Sequence, residues 1–196
     1  MSRLPDLFHH RWAPGVLAEL DRTGGSRFVT LTNRVGVGRE SLRRTLASLI
    51  EGGLVARNPG YGHPLRPEYV LTPRGARVAP VCADLLAGLR ELGVEAAALK
   101  KWSLPVVLAL GGPGRHRFSA LQERLREITA RALALALKDL SAAGLVDRAV
   151  TDGYPPASVY SLTRAGARLL PVLRRLEAAL EEPPPGPNRL PLARTG

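Results

Sequence analysis

A mainly α fold with small β-hairpin wings, built twice in tandem, follows from three observations. The stretch from 118 to 171 reads as helix, turn, helix, two-stranded hairpin, helix. Within it the apolar period changes: Leu133, Leu137 and Leu140 are spaced as on one buried helix face, and after Gly144 come short β-favouring runs at 145–150 and 158–162. The unit also occurs twice. Trp12 and Trp102, Phe28 and Phe118, and Leu31 and Leu121 are each 90 residues apart, whereas Gly53-Leu54-Val55 and Gly144-Leu145-Val146 are 91 apart. The larger offset persists through Arg57/Arg148, Tyr69/Tyr160 and Gly75/Gly166, so one residue is gained or lost inside the helix-turn-helix. This order of elements, twice over, is that of two winged helix-turn-helix domains.

In chain order, residues 5–20 carry a helical face of Leu7, Trp12, Val16, Leu17 and Leu20, with Pro14-Gly15 predicting a kink or break near Trp12. A loop is expected over 21–26 and the first helix of the motif over 28–35. The recognition helix spans 39–52, with Gly38 as N-cap, a buried stripe of Leu42, Leu46, Leu49 and Ile50, and Arg39, Glu40, Arg43, Arg44 and Ala47 outward. Strands at 54–58 and 68–71 flank a Gly/Pro-rich wing tip at 59–67. Thr72-Pro73 starts a long helix with a bend at Pro80. Gly93 either separates this helix from the one at 94–110 or lies inside a nearly continuous helix bridging the copies; the sequence leaves both open. In the second copy Ser119 and Gln122 have capping-box spacing, and Thr129 is placed to cap the second helix. The expected domains are 1–93 and 94–181, followed by a Pro-rich tail over 182–196 too poor in large apolar residues to fold alone.

The 196 residues carry 28 Lys plus Arg against 17 Asp plus Glu, a formal net charge of +11 that favours a polyanionic partner. Double-stranded DNA leads among these, although composition alone also suits RNA or an anionic membrane surface. One cysteine, Cys82, excludes an intrachain disulfide and fits a reducing compartment. No signal peptide or membrane-length apolar run is present, which predicts a cytoplasmic, nucleoid-associated protein with no membrane contact. The four histidines lack metal-ligand spacing, and no nucleophile constellation or phosphate-cradling loop occurs; neither an enzyme nor a cofactor is expected.

Residues Lys101-Trp102-Ser103-Leu104, Arg117-Phe118-Ser119, Ile128-Thr129-Ala130-Arg131, Ala143-Gly144-Leu145-Val146, and Pro155-Pro156 with Tyr160-Ser161-Leu162-Thr163 resemble the HxlR-type transcriptional regulators. The resemblance covers roughly residues 95 to 180 and implies a winged-helix fold related to the MarR-type regulators. It further implies that first and last helices form a dimer interface; with such a pair in each copy, an intramolecular pseudo-dimer is expected. Some relatives sense oxidants through a cysteine about a dozen residues before the Lys-Trp pair, and neither copy has one. Cys82 is expected to be a small buried hydrophobe.

A recognition helix enters the major groove, where Arg bonds to guanine edges while other cations neutralise phosphates. In the first copy this selects Arg39, Glu40, Ser41, Arg43 and Arg44, with His63 in the wing. Arg66 matches the arginine that the resemblance implies for the wing. In the second copy the candidates are Arg117, Thr129, Ala130, Arg131 and Lys138; Thr129 and Arg131 match the family's hydroxyl and arginine, whereas the first copy has Gly38, Arg39 and Glu40 in that region. The heads therefore differ, and the expected operator is asymmetric or pseudo-palindromic. The leading function is sequence-specific transcriptional regulation, by default repression through promoter occlusion. Against it stand a protein-interaction adaptor using the Ala134/Leu135 face and an architectural protein without sequence preference. Self-association of the whole chain would present four heads, and the sequence points to no particular small-molecule effector.

Overall fold

The computed structural model describes residues 3–58, 68–151 and 156–181. The first copy runs α1 (Leu4–Leu7), α2 (Ala13–Thr23), β1 (Ser26–Arg27), α3 (Phe28–Val35), α4 (Arg39–Glu51), β2 (Val55–Asn58), β3 (Glu68–Leu71) and α5 (Pro73–Glu91). The second repeats it as α6 (Glu95–Ala98), α7 (Ser103–Ala109), β4 (His116–Arg117), α8 (Phe118–Leu125), α9 (Ala130–Ala142), β5 (Val146–Val150), β6 (Ser158–Leu162), α10 (Arg164–Arg168) and α11 (Leu170–Glu181). Each copy contains one antiparallel three-stranded sheet, ordered β1-β3-β2 and β4-β6-β5.

The expected break near Trp12 is present, and it falls between α1 and α2; Pro14 then occupies the first turn of α2, where its missing N–H costs no helical bond. Gly93 settles the alternative left by the sequence. With φ 67° it turns the chain after α5, and α6 and α7 follow as separate helices. Pro80 lies within α5 without ending it. The corresponding helix of the second copy is divided at Leu169 into α10 and α11.

Three sequence expectations are corrected, and one strand is added to them. Ser26–Arg27 is a strand because it pairs with Tyr69 and Glu68, a partnership invisible in two isolated residues. His116–Arg117 does the same with Tyr160 and Val159. Ser119 does not cap α8: the helix begins at Phe118, and Arg117 at the N-cap makes no side-chain cap bond. Ile50 is 40% exposed, and Thr45, fully buried with its hydroxyl donating to the Ser41 carbonyl at 2.8 Å, takes the fourth place on the core face of α4.

The hairpin-to-helix junction is built identically in both copies. Thr72 Oγ1 accepts from the Gly75 amide at 3.0 Å and donates to the Gly53 carbonyl at 2.6 Å. Thr163 accepts from Gly166 at 3.1 Å and donates to the Gly144 carbonyl at 2.7 Å. A Cβ on Gly75 would collide with the Leu54 carbonyl oxygen, and one on Gly166 with that of Leu145. Glycine is required there because helix and strand backbones touch. The change of offset from 90 to 91 lies in the turn between the two helices of the motif: Gly36-Val37-Gly38 in one copy, Arg126-Glu127-Ile128-Thr129 in the other.

One core joins the copies. α5 packs on α11, α1 crosses onto α7 and α11, and α6 lies against α5. Ion pairs Arg175–Asp84 at 2.9 Å and Arg168–Glu91 at 2.7 Å stitch the exposed edges of this seam. Arg74 bridges it with one guanidinium, donating to the carbonyls of Gly52 at 2.6 Å and Leu180 at 2.7 Å. This is an intramolecular pseudo-dimer with the long helices at its centre. Cys82 is fully buried in α5, and burial pushes its thiol up to about 12, which leaves it protonated and unreactive at neutral pH.

Candidate nucleic-acid interface

Helix α4 is held by Leu42, Thr45, Leu46 and Leu49, all buried, and starts at Gly38, whose backbone is extended. Because the apolar stripe fixes the helix's rotation, Arg39, Glu40, Ser41, Arg43, Arg44 and Ala47 are brought together on its outer side. Glu40 is the centre of this group. It accepts from Arg43 Nη1 at 2.5 Å and from Arg44 Nε at 2.9 Å, and these bonds, Arg44's foremost, hold its carboxyl below the usual carboxylate range. Two of the three arginines on this face are therefore partly neutralised in the free protein, while Arg39 has no carboxylate partner among the described residues. The charge of Arg44 also reaches His10, whose pKa is lowered first by burial and then by His9 and Arg44.

Helix α9 takes the corresponding place. Thr129 caps it as expected, accepting from the Ala132 amide at 3.2 Å. Leu133, Ala136, Leu137 and Leu140 are buried, and the outer side presents Ala130, Arg131, Ala134, Leu135 and Lys138. Arg131 and Lys138 have no carboxylate partner among the described residues; Leu135 between them is 57% exposed. The two outer faces thus differ in kind: a clustered Arg/Glu network on α4, isolated cations around an apolar patch on α9.

Arg117 is exposed on β4, directly before α8. His63 and Arg66, the wing candidates, lie outside the described residues. Two cations not selected from the sequence are Arg57 on β2 and Arg148 on β5, both exposed and at matching places in the sheets. Their 91-residue spacing was the available signal. Arg148 is steadied by Ser158 Oγ at 2.9 Å. Among the described residues no His, Cys, Asp or Glu cluster could hold a metal ion, and no helix is long and apolar enough to cross a membrane.

With this geometry in view, the model of the HxlR-like helix-turn-helix matches residues 7–93 and, a second time, residues 98–183. The chain belongs to the HxlR-like family. An uncharacterized HTH-type transcriptional regulator of Methanothermobacter thermautotrophicus is 37% identical over 76 residues, which are 39% of this chain and 57% of that protein. Another such regulator, BH0655 of Halalkalibacterium halodurans, is 37% identical over 76 residues, 39% of this chain and 67% of its own length. The match thus spans little more than half of the first of these relatives. Among solved structures, the reduced form of the transcriptional regulator YodB from B. subtilis aligns with 29% identity and a TM-score of 0.38, over 42% of this chain and 80% of that one. HxlR-like proteins are helix-turn-helix regulators rather than enzymes, and here one polypeptide contains the domain twice.

Proposed function

We propose that this HxlR-like chain is a sequence-specific DNA-binding transcriptional regulator in which the two fused heads act on one site. The observation that carries the reading is the pair of helices, α4 and α9, held by the same scaffold with cations on their outer sides. In this reading residues 1–93 and 94–181 are the heads and 182–196 a tail. Arg39, Arg43 and Arg44 reach base edges and phosphates, while Arg131 and Lys138 serve the weaker second head. Arg57, Arg117 and Arg148 neutralise phosphates beside the helices. Because the outer faces differ, the preferred operator is asymmetric or pseudo-palindromic, and occupancy of a promoter represses it. A cytoplasmic, nucleoid-associated location follows from that role.

Selection of bound sequences from a random duplex pool tests this directly. A specific regulator prefers its site over scrambled DNA by about 10³-fold or more, with affinity falling as salt rises through counterion release. Equal, salt-sensitive binding of selected and scrambled duplexes would instead identify an architectural protein. The exposure of Leu135 favours one further reading, a protein-binding adaptor, which an absence of affinity for any duplex would support.

A further inference from the structure

Each copy holds a groove at the same place, between its tryptophan helix, the first helix of its motif and its last long helix, with one wall lent by the other copy. The first, of about 580 Å³, is lined by Trp12, Gly15, Arg34 and Leu86, with Glu95 from the second copy. The second, of about 690 Å³, is lined by Trp102, Pro105, Arg124 and Glu177, with Pro5 from the first. Volumes of this size suit small molecules.

The repeat shows what has changed between them. In the first groove Glu19 accepts from Arg22 at 2.8 Å and from Arg34 at 3.3 Å, and Glu95 faces Arg90 at 3.6 Å. At the matching positions of the second groove stand Ala109 for Glu19, Gly111-Gly112 for Asp21-Arg22, and Pro5 for Glu95. Arg124, the counterpart of Arg34, has lost its carboxylate; Nη1 is tied instead to the Ala109 carbonyl at 2.8 Å. Arg174 is tied likewise to the Gly111 carbonyl at 3.3 Å. A carbonyl fixes a guanidinium without cancelling its charge, so both retain donors for a planar anion. Glu127 and Glu177 also line this groove, and among the described residues neither is paired with its arginines. They oppose a multiply charged ligand.

The floor is apolar, formed by Pro105, Leu108 and Leu125 beside Trp102. Its rim contains Arg126, which has φ 40° and ψ −50°, the sole non-glycine residue of positive φ among those described. The Glu127 amide bonds to the Leu125 carbonyl around it, a tight three-residue turn that no ordinary loop requires. Backbone strain of this kind marks places where position matters more than stability. The first copy has Gly36 there and no such strain.

We infer that the second groove, and not the first, is a binding site for one small monoanion bearing a flat apolar body, its carboxylate held between Arg124 and Arg174. This assignment is independent of whether the heads bind DNA. The test uses the full chain carrying Trp12→Phe, so that Trp102 is the sole tryptophan, titrated with 2-naphthoate and with uncharged 2-naphthylmethanol. Expected are quenching of Trp102, one molecule per chain by calorimetry, and weakening by about tenfold or more in Arg124→Gln and in Arg174→Gln. Arg34→Gln, the matching change in the first groove, should leave affinity unchanged, and melting curves establish that each variant is folded. Absence of quenching at millimolar naphthoate, equal binding of the alcohol, two molecules per chain, or an equal loss in Arg34→Gln would each overturn the assignment.

Discussion

The two heads share a scaffold and differ at their surfaces. Both junctions from hairpin to helix use a threonine that caps one element and grips another, with a glycine three residues on where backbones touch. The recognition helices, by contrast, have diverged. α4 gathers Arg43 and Arg44 around Glu40, with Arg39 beside them and unpaired among the described residues, whereas α9 offers two separate cations and an exposed leucine. Duplication within one chain frees each head from the requirement to match its twin, because the seam joining them is made by α1, α5, α6, α7 and α11 and not by the outer faces.

Charge reversal would separate the heads most sharply. Arg43→Glu with Arg44→Glu should reduce affinity for a selected duplex by about 100-fold or more, whereas Arg131→Glu with Lys138→Glu should cost about tenfold and flatten the salt dependence less. Titration of both variants at several salt concentrations checks the ranking, and equal losses would remove the functional difference between heads. Glu40→Gln in the same assay should strengthen binding, since it releases Arg43 and Arg44 without adding charge to the duplex side.

The shared scaffold can be tested at its tightest point. Gly75→Ala and Gly166→Ala each place a methyl group against a backbone oxygen, and each should cost about 3 kcal/mol in denaturant unfolding. A large loss in one and none in the other would show that the junctions are not equivalent. A smaller, opposite pair lies in the motif turns. Arg126→Gly should stabilise by about 1 kcal/mol as strain is relieved, and Gly36→Ala should destabilise by about the same amount because Gly36 has φ 68°.

The smallest effect expected is a pH dependence peculiar to the first head. The His10 pKa is lowered in the fold by burial and by its neighbours His9 and Arg44, so the unfolded chain binds the proton more readily. Stability should therefore be full above the ordinary value of 6.5 and fall as pH drops from there toward the lowered folded value. His10→Gln should flatten that slope in a melting series from pH 7.5 to 5. The matching place of the second copy holds Lys100, paired with Asp139 at 2.6 Å, in place of a histidine.

Much of the architecture was legible because it rests on local chemistry. The period of Leu133, Leu137 and Leu140, the Thr-Pro start of α5, the Thr129 cap and the 90-to-91 change of offset are properties of neighbouring residues. The outer faces of α4 and α9 follow from the same periodicity, which is why their exposed candidates were chosen correctly as exposed; their roles on DNA remain the proposal made above. Legibility failed where a distant partner decides. A two-residue strand exists through β3 or β6, Thr45 and not Ile50 is buried on the core face of α4, and Arg148 is set by Ser158 across the sheet.

By itself, then, the sequence determined that there are two winged heads, where α3, α4, α5 and α9 begin, and most of the apolar side of each, since helix periodicity and capping act over a few residues. Only the tertiary structure decided how the heads share one core, that Glu40 restrains Arg43 and Arg44, and that two equivalent grooves differ in whether their arginines meet a carboxylate. Those outcomes depend on side chains brought together across tens of residues, and spacing along a chain does not encode which of several charges will come within bonding distance.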